Sequence, residues 1–132
     1  MKVFMNKKAI DQVMTPFPHS IGPEQTLKTA KDLMTKQDIR HLPVRDGGRI
    51  VGILSDRDID FALRVDNKEP QRLLVRDAAT SDVFSVLPTT LLKEVVQRMA
   101  SDKIGCALVE DKGKLVGIFT AVDACRVLSE VL

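Results

Sequence analysis

The sequence predicts a mixed α/β (α+β) protein made of two β-α-β-β-α repeats, on three observations. First, the stretch Gly52-Ile53-Leu54-Ser55-Asp56-Arg57-Asp58 returns 65 residues later as Gly117-Ile118-Phe119-Thr120-Ala121-Val122-Asp123. Second, apolar runs of strand length alternate with segments whose apolar residues recur at helical spacing. Third, a shift of 65 lays Ile10–Leu63 on Val75–Leu128 without a gap, with 15 identities in 54 aligned positions. A gapless match of that extent indicates a tandem duplication.

In chain order, Ala9–Met14 reads as a short helical stretch, broken by Thr15-Pro16-Phe17-Pro18, because proline removes a backbone donor and restrains the residue before it. His19-Ser20-Ile21 is a very short strand candidate closed by Gly22-Pro23. Thr26–Lys36 carries Leu27, Ala30, Leu33 and Met34 on one helical face. His41–Arg45 and Arg49–Leu54 form a hairpin around Asp46-Gly47-Gly48. A second helix runs from Ser55 to about Val65 and buries Ile59, Ala62 and Leu63. Residues 66–74 are polar at first and contain Pro70, so they divide a first repeat at 9–65 from a second at 75–132.

A single copy of about 54 residues is near the lower size limit for independent folding, because a small chain buries too little of its surface. Each copy offers a three-stranded sheet with two helices on one side. Packing the copies face to face about a pseudo-twofold axis would cover the open sheet faces. It would also leave clefts along the seam, where ligand pockets commonly form.

Composition narrows the function classes. A net charge of +2 implies neither a nucleic-acid nor a membrane partner. Tyr and Trp are absent, which removes the usual stacking platforms for single-stranded nucleic acid. Met1 to Lys8 contains no apolar run of signal-peptide length. No run of about 18 apolar residues occurs, and a soluble, cytoplasmic protein is expected. Cys106 and Cys125 lack metal-ligand spacing and read as small buried apolar residues of a reduced protein. Hydrolase elbows, phosphate loops and zinc-protease motifs do not occur, so neither catalytic residues nor a bound metal or catalytic cofactor is expected. Asp56, Asp58 and Asp60, at i, i+2 and i+4 of a helix start, share no face and read as solvated charges rather than a magnesium site.

The duplicated motif puts a hydroxyl and a carboxylate where a strand enters a helix, at a mouth with free backbone N–H groups and a positive dipole end. One reading is a capping box, for which aspartate is a shorter reach than the preferred Glu or Gln. The other is a ligand hook.

Two strand–helix–hairpin–helix repeats, each ending in glycine, two apolar residues, Ser or Thr, and an Asp three positions on, resemble a pair of CBS domains (a Bateman module) over about Ala9–Leu132. Arg40-His41-Leu42-Pro43-Val44, Gly48, Gly113 and Thr15-Pro16 also fit the family. The resemblance implies an adenosine-containing regulatory ligand: AMP, ADP, ATP or S-adenosylmethionine. It further implies a ribose-binding aspartate in each repeat, a homodimer built through helices, and an unidentified protein that the module regulates. No attached domain is expected.

In the family, phosphate-binding side chains come from the repeat opposite the ribose aspartate. The cleft of Thr120 and Asp123 then receives Arg40, His41 and Arg57, with Pro18, His19, Ile39, Pro43 and Ile118 near the adenine. The cleft of Ser55 and Asp58 receives the uncharged Gly105, Cys106 and Val122, with Val83, Phe84, Ile104, Leu108 and Ile53 near the base. Arginine forks suit phosphate, so the first cleft is expected to take a phosphorylated nucleotide. The second, drier cleft suits a less charged ligand such as S-adenosylmethionine, or stays empty. A vacant dimerisation scaffold is the alternative function, and nucleic-acid binding a weaker one.

Overall fold

The computed structural model describes residues 7–132. All but two residues of the polar N-terminal stretch Met1–Lys8 therefore lie outside the described residues. Six strands and five α-helices follow in order: β1 (Thr15–Pro16), α1 (Leu27–Gln37), β2 (His41–Asp46), β3 (Arg49–Ser55), α2 (Asp56–Asp66), α3 (Val75–Ala78), β4 (Ser85–Val86), α4 (Leu92–Asp102), β5 (Cys106–Asp111), β6 (Lys114–Thr120) and α5 (Ala121–Val131). Two 3-10 turns, Ile10–Gln12 and Pro70–Arg72, complete the set. The mixed α/β class expected from the sequence is what the chain adopts.

The chain forms two compact units, and their boundaries are not those of the repeats. One comprises His19–Val83; the other joins the N-terminal residues through Pro18 to Phe84–Leu132. The N-terminal segment of each repeat thus belongs to the unit built on the other repeat's hairpin.

In the His19–Val83 unit, β2 and β3 form an antiparallel hairpin whose turn uses Gly47 and Gly48, both at positive φ (59° and 86°). Glycine meets that requirement without Cβ strain. Thr80 bridges the outer edge of β3 at Ile53, and Ile21 bridges β2 at Val44 in parallel. α1 begins at Thr26, whose hydroxyl accepts from the Thr29 N–H at 3.1 Å, and ends where Asp38 turns left-handed. Its buried face is Leu27, Ala30 and Met34. α2 adds Ile59 and Ala62 to the same core, with Leu63 only partly buried. The connection is pinned at its end: Leu73 is buried, and its carbonyl accepts from the Leu27 N–H at 2.8 Å.

The other unit repeats this scheme with longer edges. Its four-stranded sheet has the order β1-β6-β5-β4, with β1 antiparallel to β6 and β4 parallel to β5. Both hairpins slip register at the same repeat position, between Val44 and Arg45 and between Val109 and Glu110. Phe119 and Val109, wholly buried, anchor a core completed by Ile10, Val95 and Val127.

Thr15-Pro16 follows the end of the preceding helical turn, as expected of a break, and additionally forms an edge strand. An edge tolerates proline because its missing N–H would have pointed away from the ladder. The Phe17 N–H closes the pairing on the Val116 carbonyl at 3.0 Å. The sheet of β1, β6, β5 and β4 accordingly has one strand more than the three expected per copy, and the β2–β3 sheet one fewer.

Candidate functional site

Each repeat glycine marks a close approach. A Cβ on Gly52 would stand 2.7 Å from the Thr80 carbonyl oxygen, a fixed backbone atom. A Cβ on Gly117 would collide with the Met14 side chain. These glycines let the edge segments lie against β3 and β6, beside the helix mouths.

Both mouths are built alike. Ser55 caps α2, with its Oγ accepting from the Asp58 N–H at 3.1 Å and Asp58 Oδ2 accepting from the Ser55 N–H at 2.9 Å. Thr120 caps α5, with its Oγ1 accepting from the Asp123 N–H at 3.2 Å and Asp123 Oδ2 accepting from the Thr120 N–H at 2.9 Å. The expectation that aspartate reaches poorly is therefore corrected. The extended backbone of the cap residue (ψ 164° and 170°) brings its N–H within range of the shorter side chain. A strand also docks on the mouth in each case: the Arg40 carbonyl accepts from the Asp56 N–H and the Gly105 carbonyl from the Ala121 N–H, both at 3.0 Å.

The residues around the mouths differ. In the His19–Val83 unit, His41 pairs across the hairpin with Ser55; Arg40 immediately precedes β2, and Arg57 lies in the first turn of α2. Burial holds the half-buried His41 imidazole below its ordinary pKa. The charges of Asp56 and Asp58 oppose that shift, and those of Arg40 and Arg57 reinforce it. The structure thus brings Arg40, His41, Arg57, Ser55 and Asp58 into one unit, with Ile53 and Ile39 half-buried near them and His19 exposed.

In the other unit, Cys106 pairs with Thr120. Burial pushes its thiol up to about 12, so it is an inert apolar group there. Cys125, expected to be buried, lies on the exposed side of α5. Among residues expected to contact adenine, Pro43 and Leu108 are wholly buried and Ile118 nearly so. Phe84 packs partly against its unit's core, with the Arg98 guanidinium 5.2 Å from its ring centre. Pro18, Val83 and Ile104 are half-buried.

Two residues at the Asp123 mouth were not singled out in the sequence. Thr15 Oγ1 donates to Asp123 Oδ1 at 3.5 Å, and Arg126 Nη2 lies 3.4 Å from the same oxygen. The available signal was the spacing: Arg126 follows Asp123 by three positions and shares its helix face.

The family model for the CBS domain matches residues 10–65 and again 75–130. The chain is a CBS-domain protein. Its tandem CBS pair is 36% identical over 105 residues to an inosine-5'-monophosphate dehydrogenase of Korarchaeum cryptofilum, covering 79% of this chain but only 21% of that enzyme. It is 28% identical over 115 residues to the CBS domain-containing protein YhcV of Bacillus subtilis, covering 87% and 81% of the two chains. Among solved structures, an acetoin utilization protein (AcuB) from Vibrio cholerae superposes with a TM-score of 0.85 at 34% identity, over 94% of this chain and 92% of that one.

Two further CBS structures carry ligands. The CBS pair of protein MJ0100 was solved with 5'-methylthioadenosine and S-adenosyl-L-methionine (TM-score 0.83, 23% identity, 95% and 98% covered). CBSX2 was solved with AMP (TM-score 0.79, 22% identity, 93% and 97% covered). At those identities the likeness is one of fold. Among the described residues, no helix is long and apolar enough to cross a membrane.

Proposed function

We propose that this CBS pair is a regulatory module that binds an adenine nucleotide and passes its occupancy to a partner protein. The observation that carries the reading is the pair of capped aspartates, one per repeat, each held at the mouth of an eleven-residue helix. Fixed carboxylates of this kind suit a ribose, whose vicinal hydroxyls are paired donors. The guanidiniums of Arg40 and Arg57, with the His41 imidazole beside them as a hydrogen-bond donor, supply what a phosphate needs, and in this reading they serve the nucleotide whose ribose sits on Asp123. By the same family resemblance, Asp58 takes a less charged adenosine compound. The bound adenosine ligands of MJ0100 and CBSX2 support the ligand class.

Binding biases the module between shapes or between states of self-association that the partner distinguishes. A thermal-shift series with AMP, ADP, ATP and S-adenosylmethionine tests the reading. Ligand at one hundred times its dissociation constant adds about 2.7 kcal/mol of stability. A flat response to all four at millimolar concentration overturns it.

A second reading, a dimerisation scaffold with vacant clefts, is favoured by exposed apolar side chains on the helices: Phe61 (69% exposed) and Val65 on α2, and Val122 (72%) and Leu128 on α5. It predicts a dimer in solution together with that flat response.

A further inference from the structure

The two mouth aspartates differ in how much of their acceptor capacity is taken. A carboxylate offers about four acceptor positions. At Asp123 four donors stand on them: the Thr120 N–H at 2.9 Å and its hydroxyl at 3.2 Å on Oδ2, and the Thr15 hydroxyl at 3.5 Å and Arg126 Nη2 at 3.4 Å on Oδ1. At Asp58 the described residues supply one donor, the Ser55 N–H at 2.9 Å.

The backbone bonds of the cap are the same, so the difference lies in side chains, beginning with the Thr120 hydroxyl that donates where that of Ser55 does not. Three positions beyond the aspartate stand Arg126 in one repeat and Phe61 in the other. Thr80, the counterpart of Thr15, uses its hydroxyl to accept from the Asp82 N–H at 3.2 Å. A ribose diol donates two hydrogen bonds and needs two vacant acceptor positions. Asp58 has them; Asp123 does not.

We propose that Arg126 is a latch on the Asp123 mouth, and that a ribose seats there only after the guanidinium, and with it the weakly held Thr15 hydroxyl at 3.5 Å, has left Oδ1. The inference rests on the adenine-nucleotide reading above and concerns the regulation of that same site. Arg126 is placed for such a role. Its side chain is half exposed, whereas that of Asp123 is only 15% exposed. The same Nη2 also donates to the Val13 carbonyl at 3.2 Å, which ties the mouth to the N-terminal segment. Nη1 lies 3.8 Å from Glu130, so a released guanidinium keeps a carboxylate partner. Ion pairs with an exposed partner contribute little, and the latch opens at a cost of at most about fivefold in affinity.

Isothermal titration of the full chain carrying Asp58→Ala, with AMP and with 2'-deoxy-AMP, tests the latch. Arg126→Gln should tighten AMP about twofold to fivefold, improve 2'-deoxy-AMP less, and leave the ligand-free melting temperature equal or slightly lower. Arg126→Lys should return the affinity toward the parent's. A merely structural arginine would lower stability and affinity together, without distinguishing the two nucleotides. Unchanged or weaker AMP binding by Arg126→Gln overturns the latch alone, provided Asp123→Ala still abolishes binding in the parent. AMP binding by neither the parent nor Arg126→Gln overturns the latch and the nucleotide reading together.

Discussion

The Ser55/Asp58 mouth and the Thr120/Asp123 mouth share a strand, a cap and a helix of equal length, yet their surroundings are opposite. The first keeps most of its carboxylate capacity open and has Arg40, His41 and Arg57 in its own unit. The second has its carboxylate enclosed by Thr15 and Arg126 and stands beside an inert cysteine. Duplication copied the backbone device and then diverged in the side chains around it. The lesson is that a motif states what a site can do, while its neighbours decide which site does it.

The largest expected contrast is in nucleotide affinity. Asp123→Ala should reduce AMP binding by at least a hundredfold, and Arg57→Ala by about tenfold to a hundredfold, the range of a lost charged hydrogen bond. Asp58→Ala should leave most AMP binding in place. Both aspartate variants lose a capping contact worth about 1 kcal/mol, and Asp123→Ala also loses the Thr15 and Arg126 contacts, so the melting temperature of each variant is read beside its affinity. Titration calorimetry reads the difference; equal losses at the two positions would mean that the phosphate set is assigned to the wrong ribose.

A second contrast separates the glycines. Gly52→Ala would drive a methyl into the fixed carbonyl of Thr80, whereas Gly117→Ala meets the flexible end of Met14. Gly52→Ala should cost about 1–3 kcal/mol, as overpacking does, and Gly117→Ala clearly less. Chemical denaturation measures both. A reversed order would show that the Thr80 edge yields more easily than Met14.

The smallest effect concerns pH. His41 has a lowered pKa in the folded chain, so it resists protonation there. Its contribution is present above the unfolded value of about 6.5 and is lost as pH falls through the lower folded value. His41→Gln should therefore flatten the stability curve below about pH 6.5, with little change above pH 7. Position 106 of the other repeat, a cysteine, gives the companion mouth no such dependence. An unchanged acid limb in His41→Gln would place the dependence on other groups.

Much of the fold was legible because it repeats. Helix faces such as Leu27, Ala30 and Met34, and the glycine turn at 47–48, are local patterns with local causes. The edge segments were harder. Thr15-Pro16 looks like a break to any reading of neighbours, because its partner Ile118 lies about a hundred residues away and only pairing makes it a strand. The exposure of Cys125 was missed for a related reason: α5 has apolar residues around most of its circumference, so periodicity does not say which face is covered.

By itself the sequence determined the duplication, the mixed α/β class, the family and the two helix mouths. The duplication, the class and the mouths follow from spacing along the chain, and the family from the resemblance of its motif residues. The tertiary structure alone decided that each unit takes its edge segment from the other repeat, that both aspartates close their capping boxes, and that Arg126 and Thr15 converge on Asp123. The physical reason is reach. A cap is made within three residues, whereas the company a carboxylate keeps is set by segments as distant as Thr15 and Asp123, which only folding brings within hydrogen-bonding range.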